Sequence, residues 1–151
     1  MLNSHPLKGS IKAHSCLKNF LGKDTIIVAK FLISTGAFIA ALGIAFGAFG
    51  AHGLRTKLEP RMLEVWQTGV EYHMYHALGL ILIGMISHWL GSSALIKWSG
   101  GLMLAGILLF SGSLYVLALT GTGWLGAIAP LGGSSFIIAW ILLAVALLRT
   151  S

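Results

Sequence analysis

Charge is nearly absent from most of this chain. Between residues 31 and 148 only seven side chains are charged, and six of them (Arg55, Lys57, Glu59, Arg61, Glu64 and Glu71) fall in one short stretch, with Lys97 the seventh. Charged residues make up 9% of the 151 residues and hydrophobic ones 56%, against about 25% charged in soluble globular domains. A water-soluble fold is thereby excluded. Cysteine is as scarce: Cys16 stands alone, which rules out an internal disulfide and a cysteine-based metal site. No G-x-S-x-G elbow accompanies Ser111, Ser113, Ser134 or Ser135, so a serine nucleophile is not indicated. Gly121-Thr-Gly123-Trp-Leu-Gly126 matches G-x-G-x-x-G in form only. It has no βαβ setting and no acidic residue after it, and reads as a turn.

What remains is apolar and helical in period. Four runs, at about residues 31–51, 70–90, 99–119 and 128–148, each have the roughly 20 residues an α-helix needs to cross a bilayer core. The connections are short, which makes neighbouring helices antiparallel. The predicted fold is an all-α membrane protein. Four antiparallel spans (residues 30–151) follow a basic amphipathic segment (residues 1–29).

The formal charge of +6 suggests nucleic acid until the basic residues are placed. Lys8, Lys12, Lys18, Lys23 and Lys30 all precede the first apolar run and suit anionic lipid headgroups rather than a nucleic acid. Ala13, Cys16, Leu17, Phe20 and Leu21 recur at helical spacing between these lysines, as in an interfacial helix. A mitochondrial transit peptide is the rival reading of this segment, against which stands the absence of Arg before Arg55. A cleaved secretory signal fits less well, because glycine and charge follow the first apolar run. Lys and Arg near the span ends are more numerous on the N-terminal side. The expectation is a bacterial plasma (inner) membrane protein with both termini cytoplasmic, a mitochondrial membrane being the alternative. Trp66 and Trp124 would mark the outer headgroup level, and Trp89 and Trp98 the inner one.

Two features carry candidate chemistry. Gly36, Ala40, Gly43, Gly47 and Gly50 share one face of the first span and allow another helix backbone to approach closely. That face implies either self-association, or contact with another membrane protein, or packing within the chain with Gly106 and Ser113 as a matching small face. At the start of the second span, where Pro60 suits the first helical turn, Thr68, Glu71, Tyr72, Tyr75 and His76 fall near one face. His52 lies at a similar level. Ionisable groups at membrane depth are expensive when unpaired, which makes His52, Glu71, Tyr72, Tyr75 and His76 the candidate polar cluster. It admits three readings. The groups hydrogen-bond each other and close the bundle; they line a polar or proton path with His76 titrating; or His52, Glu71 and His76, with His73, bind a divalent metal. The metal reading is the weakest, since His73 points about 60° away from His76 on a 3.6-residue helix. No cofactor is indicated.

Four motifs together, Gly47-Ala-Phe-Gly-Ala-His-Gly-Leu54, Trp66-x-x-Gly69-x-x-Tyr72-x-x-x-His76, Leu109-Phe-Ser-Gly-Ser-Leu-Tyr115 and Pro130-x-Gly-Gly133, resemble the domain-of-unknown-function 423 family. These are small four-span proteins of bacterial inner membranes, with a small animal transmembrane relative. The resemblance covers about residues 30–148 and implies the four-helix architecture and a membrane address, with no activity, cofactor or catalytic residue. Ala129 stands where the family pattern has Thr, and His73 where Gln is more usual. The function expected from the residues is a non-catalytic, membrane-embedded interaction or scaffolding protein. The alternative is a proton-linked or small-solute carrier or channel component using His52, Glu71 and His76.

Overall fold

The computed structural model describes the backbone of residues 7–149 and the side chains of residues 22–149. Helices α1 (Leu7–Phe49), α2 (Pro60–Leu90), α3 (Ala94–Gly106), α4 (Gly112–Thr120) and α5 (Ala129–Leu148) make up most of it, and no strand occurs among the described residues. A π-helical turn, Gly50–Leu54, extends α1, and another, Ile107–Ser111, joins α3 to α4 in a single rod. The expected apolar stripe from Ala13 to Leu21 lies outside the residues whose side chains are described.

Gly22–Leu54, Ala94–Thr120 and Gly123–Leu148 are long and apolar enough to cross a membrane. The expected run from residue 31 lies within the first of these, and α1 passes through Lys30 without a break. No proline interrupts it, and lysine stems near a span end reach the interface while their apolar part stays in lipid. Helix α2 is 31 residues long but is not among the three. Its first turns carry Arg61, Glu64, Gln67, Thr68 and Glu71, and His73, His76 and His88 dilute the rest.

Helix α2 is the hub of the bundle, packed on α1 along one side and on the α3–α4 rod along the other, while α3 packs on α5. Glycine decides how close α1 and α2 come. A Cβ on Gly36 would fall 2.8 Å from the Ala77 carbonyl oxygen, and one on Gly50 would fall 2.7 Å from the Trp66 indole. In return Gly84 of α2 sits where a Cβ would be 3.0 Å from the Ala29 carbonyl oxygen. The glycine face of the first span is thus occupied by α2 of the same chain. Gly106 does not supply its counterpart: it faces α5, where a Cβ would fall 2.5 Å from the Phe136 ring. Ser113 is turned back onto the Phe110 carbonyl at 2.9 Å.

Where α3 and α5 cross, Gly132 closes on the Phe110 backbone and the buried Ser99 hydroxyl donates to the Ala139 carbonyl at 2.8 Å. Leu80, Ile83, Ile96 and Met103 fill the centre. The α2–α3 turn depends on Gly91 at φ 88°, a conformation side chains disfavour, and on Ser93, which caps α3 through the Ile96 N–H at 3.4 Å. The Ser92 N–H donates to Thr25 Oγ1 at 3.3 Å, tying α1 to this turn. Antiparallel packing of α3 on α5 brings Arg149 to the same end.

Candidate functional site

Helix α2 sorts its polar residues onto two opposite sides. Trp66, Gly69, His73, His76, Leu80, Ile83 and Ser87 are buried at alternating steps of three and four. This is the inward seam of a helix that packs along its length on its neighbours. Glu64, Gln67, Thr68, Glu71 and Tyr75 are exposed on the outer side. Thr68 satisfies its own hydroxyl by donating to the Glu64 carbonyl at 2.9 Å.

The inner side holds a closed polar and aromatic assembly near the end of α2 that starts at Pro60. His73 is 5% exposed. Its Nε2 lies 2.7 Å from the Ile39 carbonyl oxygen of α1 and its Nδ1 3.2 Å from the Tyr115 hydroxyl of α4. A carbonyl only accepts, so Nε2 carries the hydrogen; Nδ1 is then the acceptor of the Tyr115 O–H in the neutral ring. One side chain thereby joins three helices. The Trp66 Nε1–H donates to the Phe46 carbonyl at 3.0 Å, and Phe46 packs edge-on to Tyr115 with ring centroids 5.0 Å apart. Trp66 is 3% exposed, so it does not mark the outer headgroup level as expected: the steps of α2 turn it into the core. Trp124, Trp89 and Trp98 are exposed.

The structure brings together only part of the expected cluster: the Tyr72 ring lies 5.8 Å from that of His76 and 6.4 Å from that of Tyr75. His76 is buried on the inner side, where its Nδ1–H donates to the Tyr72 carbonyl at 2.7 Å and its ring stacks on Phe136. Glu71 and His52 are exposed, and no hydrogen bond or ion pair joins them to His76 or to each other among the described residues. Glu71 instead borders a cavity of about 170 Å³ with Gly47, Ala51, Gln67 and Val70. Tyr72 packs on Phe110 at 4.5 Å between ring centroids, and Tyr75 is 61% exposed. The reason is angular. Glu71 and His76 are five residues apart, about 140° around the helix, so placing one outward turns the other inward. Among the described residues no group of three or more His, Cys, Asp or Glu side chains could hold a metal ion.

The His73–Tyr115 pair escaped the sequence reading. The signal was the three-four alternation from Trp66 to Ser87, which places His73 and His76 on the same seam although their directions differ by about 60°.

A family described as "Protein of unknown function (DUF423)" matches residues 46–133, which include His73, His76, Tyr115 and Gly132. The UPF0382 membrane protein YwdK of Bacillus subtilis is 51% identical over 120 residues, covering 80% of this chain and 98% of the relative. A UPF0382 membrane protein of Staphylococcus epidermidis is 47% identical over 121 residues, covering 80% of this chain and 97% of its own. Another from Staphylococcus aureus is 48% identical over 118 residues, covering 78% and 94%. No solved structure matches. With its apolar helices and relatives of this similarity and coverage, the chain belongs to the DUF423 family of membrane proteins.

Proposed function

We propose that this protein is a non-catalytic, membrane-embedded interaction subunit in which α2 is a fourth span and offers its outer polar side to a partner helix. Glu71 carries the proposal. It is exposed on the outer side of α2, without an ion pair or hydrogen bond among the described residues, and an unpaired carboxylate near lipid is costly until another chain covers it. Gln67, Thr68 and Tyr75 continue the same exposed side. The inner polar groups support the same reading, since His73, Trp66 and Ser99 spend their hydrogen bonds joining helices. In this reading both termini lie in the cytoplasm of a bacterial cell, with Lys23, Lys30, Lys97 and Arg149 on that side.

A photo-reactive residue at Gln67, activated in native membranes, tests the proposal. The expected result is a discrete crosslink to a second copy or to another membrane protein, weakened by Glu71→Ala while the thermal stability of the purified protein is unchanged. A carrier predicts otherwise: pH-dependent flux in proteoliposomes that Glu71→Gln abolishes, with no protein crosslink. That result would overturn the scaffold reading.

A further inference from the structure

Two adjoining cavities at the end of the bundle that carries the α2–α3 turn differ in chemistry and share Lys97. One, about 270 Å³, is polar and lies between Asp24 and Thr25 of α1 and Ser92, Ser93 and Lys97. The other, about 360 Å³, is an apolar groove between α1 and α3, walled by Ile27, Phe31, Leu32 and Leu104 and floored by Gly100 and Gly101. Nothing lies within 4 Å of where a Gly101 Cβ would project, whereas Gly100 is covered by Leu32.

The level of these cavities is set by their surroundings. Ala94–Thr120, one of the stretches long and apolar enough to cross a membrane, begins here. Trp89 is 80% exposed and Trp98 67% exposed, as indole is at headgroup depth. With these tryptophans at headgroup depth, the polar cavity would lie among headgroups and the apolar groove would run from it toward the acyl chains.

The charges that line the polar cavity are of opposite sign and do not meet. Asp24 on α1 and Lys97 on α3 form no ion pair with each other. Basic pockets between membrane helices bind lipid phosphates, and a carboxylate across the same pocket adds a site for a cation. We propose that the two cavities form one lipid site, for a glycerophospholipid with a primary ammonium headgroup. Lys97 holds the phosphate, Asp24 the ammonium, and an acyl chain lies over Gly101. The shared residue makes the site amphipathic along its length, which a soluble anion or a free fatty acid matches over only half. This site is separate from the outer side of α2 and stands whether or not a protein partner binds there.

Native mass spectrometry of the full chain, delipidated in detergent and titrated with phosphatidylethanolamine, phosphatidylglycerol or phosphatidylcholine, tests it. The expected result is one tightly held phosphatidylethanolamine per chain, with roughly tenfold weaker binding of the other two, the loss of one charge-assisted contact. Asp24→Asn should erase the preference over phosphatidylglycerol, and Lys97→Gln should weaken all three. Gly101→Leu fills the groove from an open position and should exclude the lipid without altering the thermal melt. Equal binding of the three lipids, phosphatidylglycerol preferred in both wild type and Asp24→Asn, or phosphatidylethanolamine binding indifferent to all three variants would overturn the site.

Discussion

The Tyr115 hydroxyl stands 3.2 Å from Nδ1 of His73, whose Nε2 reaches the Ile39 carbonyl 2.7 Å away on the opposite flank. Helices α1, α2 and α4 are thereby joined through a single imidazole. In a membrane the hydrophobic effect does not hold helices together, so such bonds and close packing carry the association.

Replacement of His73 tests its two hydrogen bonds. Glutamine offers an N–H for Ile39 and an oxygen for the Tyr115 hydroxyl, so His73→Gln should leave thermal stability in detergent nearly unchanged. His73→Leu removes both bonds and should cost about 1 to 3 kcal/mol. Comparable melting temperatures for the two variants would show that the imidazole bonds do not hold the bundle.

Glycine substitutions should divide by what a Cβ would meet. Gly36→Ala places a methyl against the Ala77 carbonyl, a backbone atom that cannot rotate away, and should destabilise by about 1 to 3 kcal/mol. At Gly101, with open space above it, alanine should be neutral or slightly favourable because it suits a helix better. Chemical or thermal unfolding of the two proteins side by side checks this; equal losses would mean that α1 and α2 do not pack as described.

Two buried serines should respond oppositely to alanine. Ser99 donates to the Ala139 carbonyl, so Ser99→Ala should cost about 0.6 to 1.7 kcal/mol. The Ser87 hydroxyl is buried without a partner among the described residues, and Ser87→Ala should hold stability or raise it by up to about 1 kcal/mol. A marked loss at Ser87 would reveal a hydrogen bond that the structure does not contain.

The fourth span is tested by topology. With Cys16 replaced by serine, single cysteines at Lys57 and Ser92 flank α2 at its two ends. A membrane-impermeant maleimide should label them from opposite sides, Lys57→Cys from outside intact cells and Ser92→Cys only after permeabilisation. Labelling of both from one side would place α2 on the surface instead of across the bilayer.

Much of the architecture was legible along the chain. The runs around residues 99–119 and 128–148 fall inside Ala94–Thr120 and Gly123–Leu148, and Pro60 occupies the first turn of α2. Apolarity, proline and turn glycine act locally, so their signal survives without any knowledge of neighbours. The start of α1 was harder, since a lysine beside a long apolar helix neither ends it nor shows where the membrane begins.

The polar residues of α2 show where local reasoning ends. Its composition alone places Glu71, His73 and His76 on one short helical segment, and solvent is the first thing those residues constrain. Whether each faced outward or into the core was decided by the tertiary structure. Gly36, Gly43 and Gly50 draw α2 against α1, and Tyr115 arrives from more than forty residues downstream to meet His73. Rotation of a helix about its axis is set by the shapes packed against it. No pattern within the helix contains the Ile39 carbonyl, the Tyr115 hydroxyl or the Phe136 ring that turned His73 and His76 inward and left Glu71 outside.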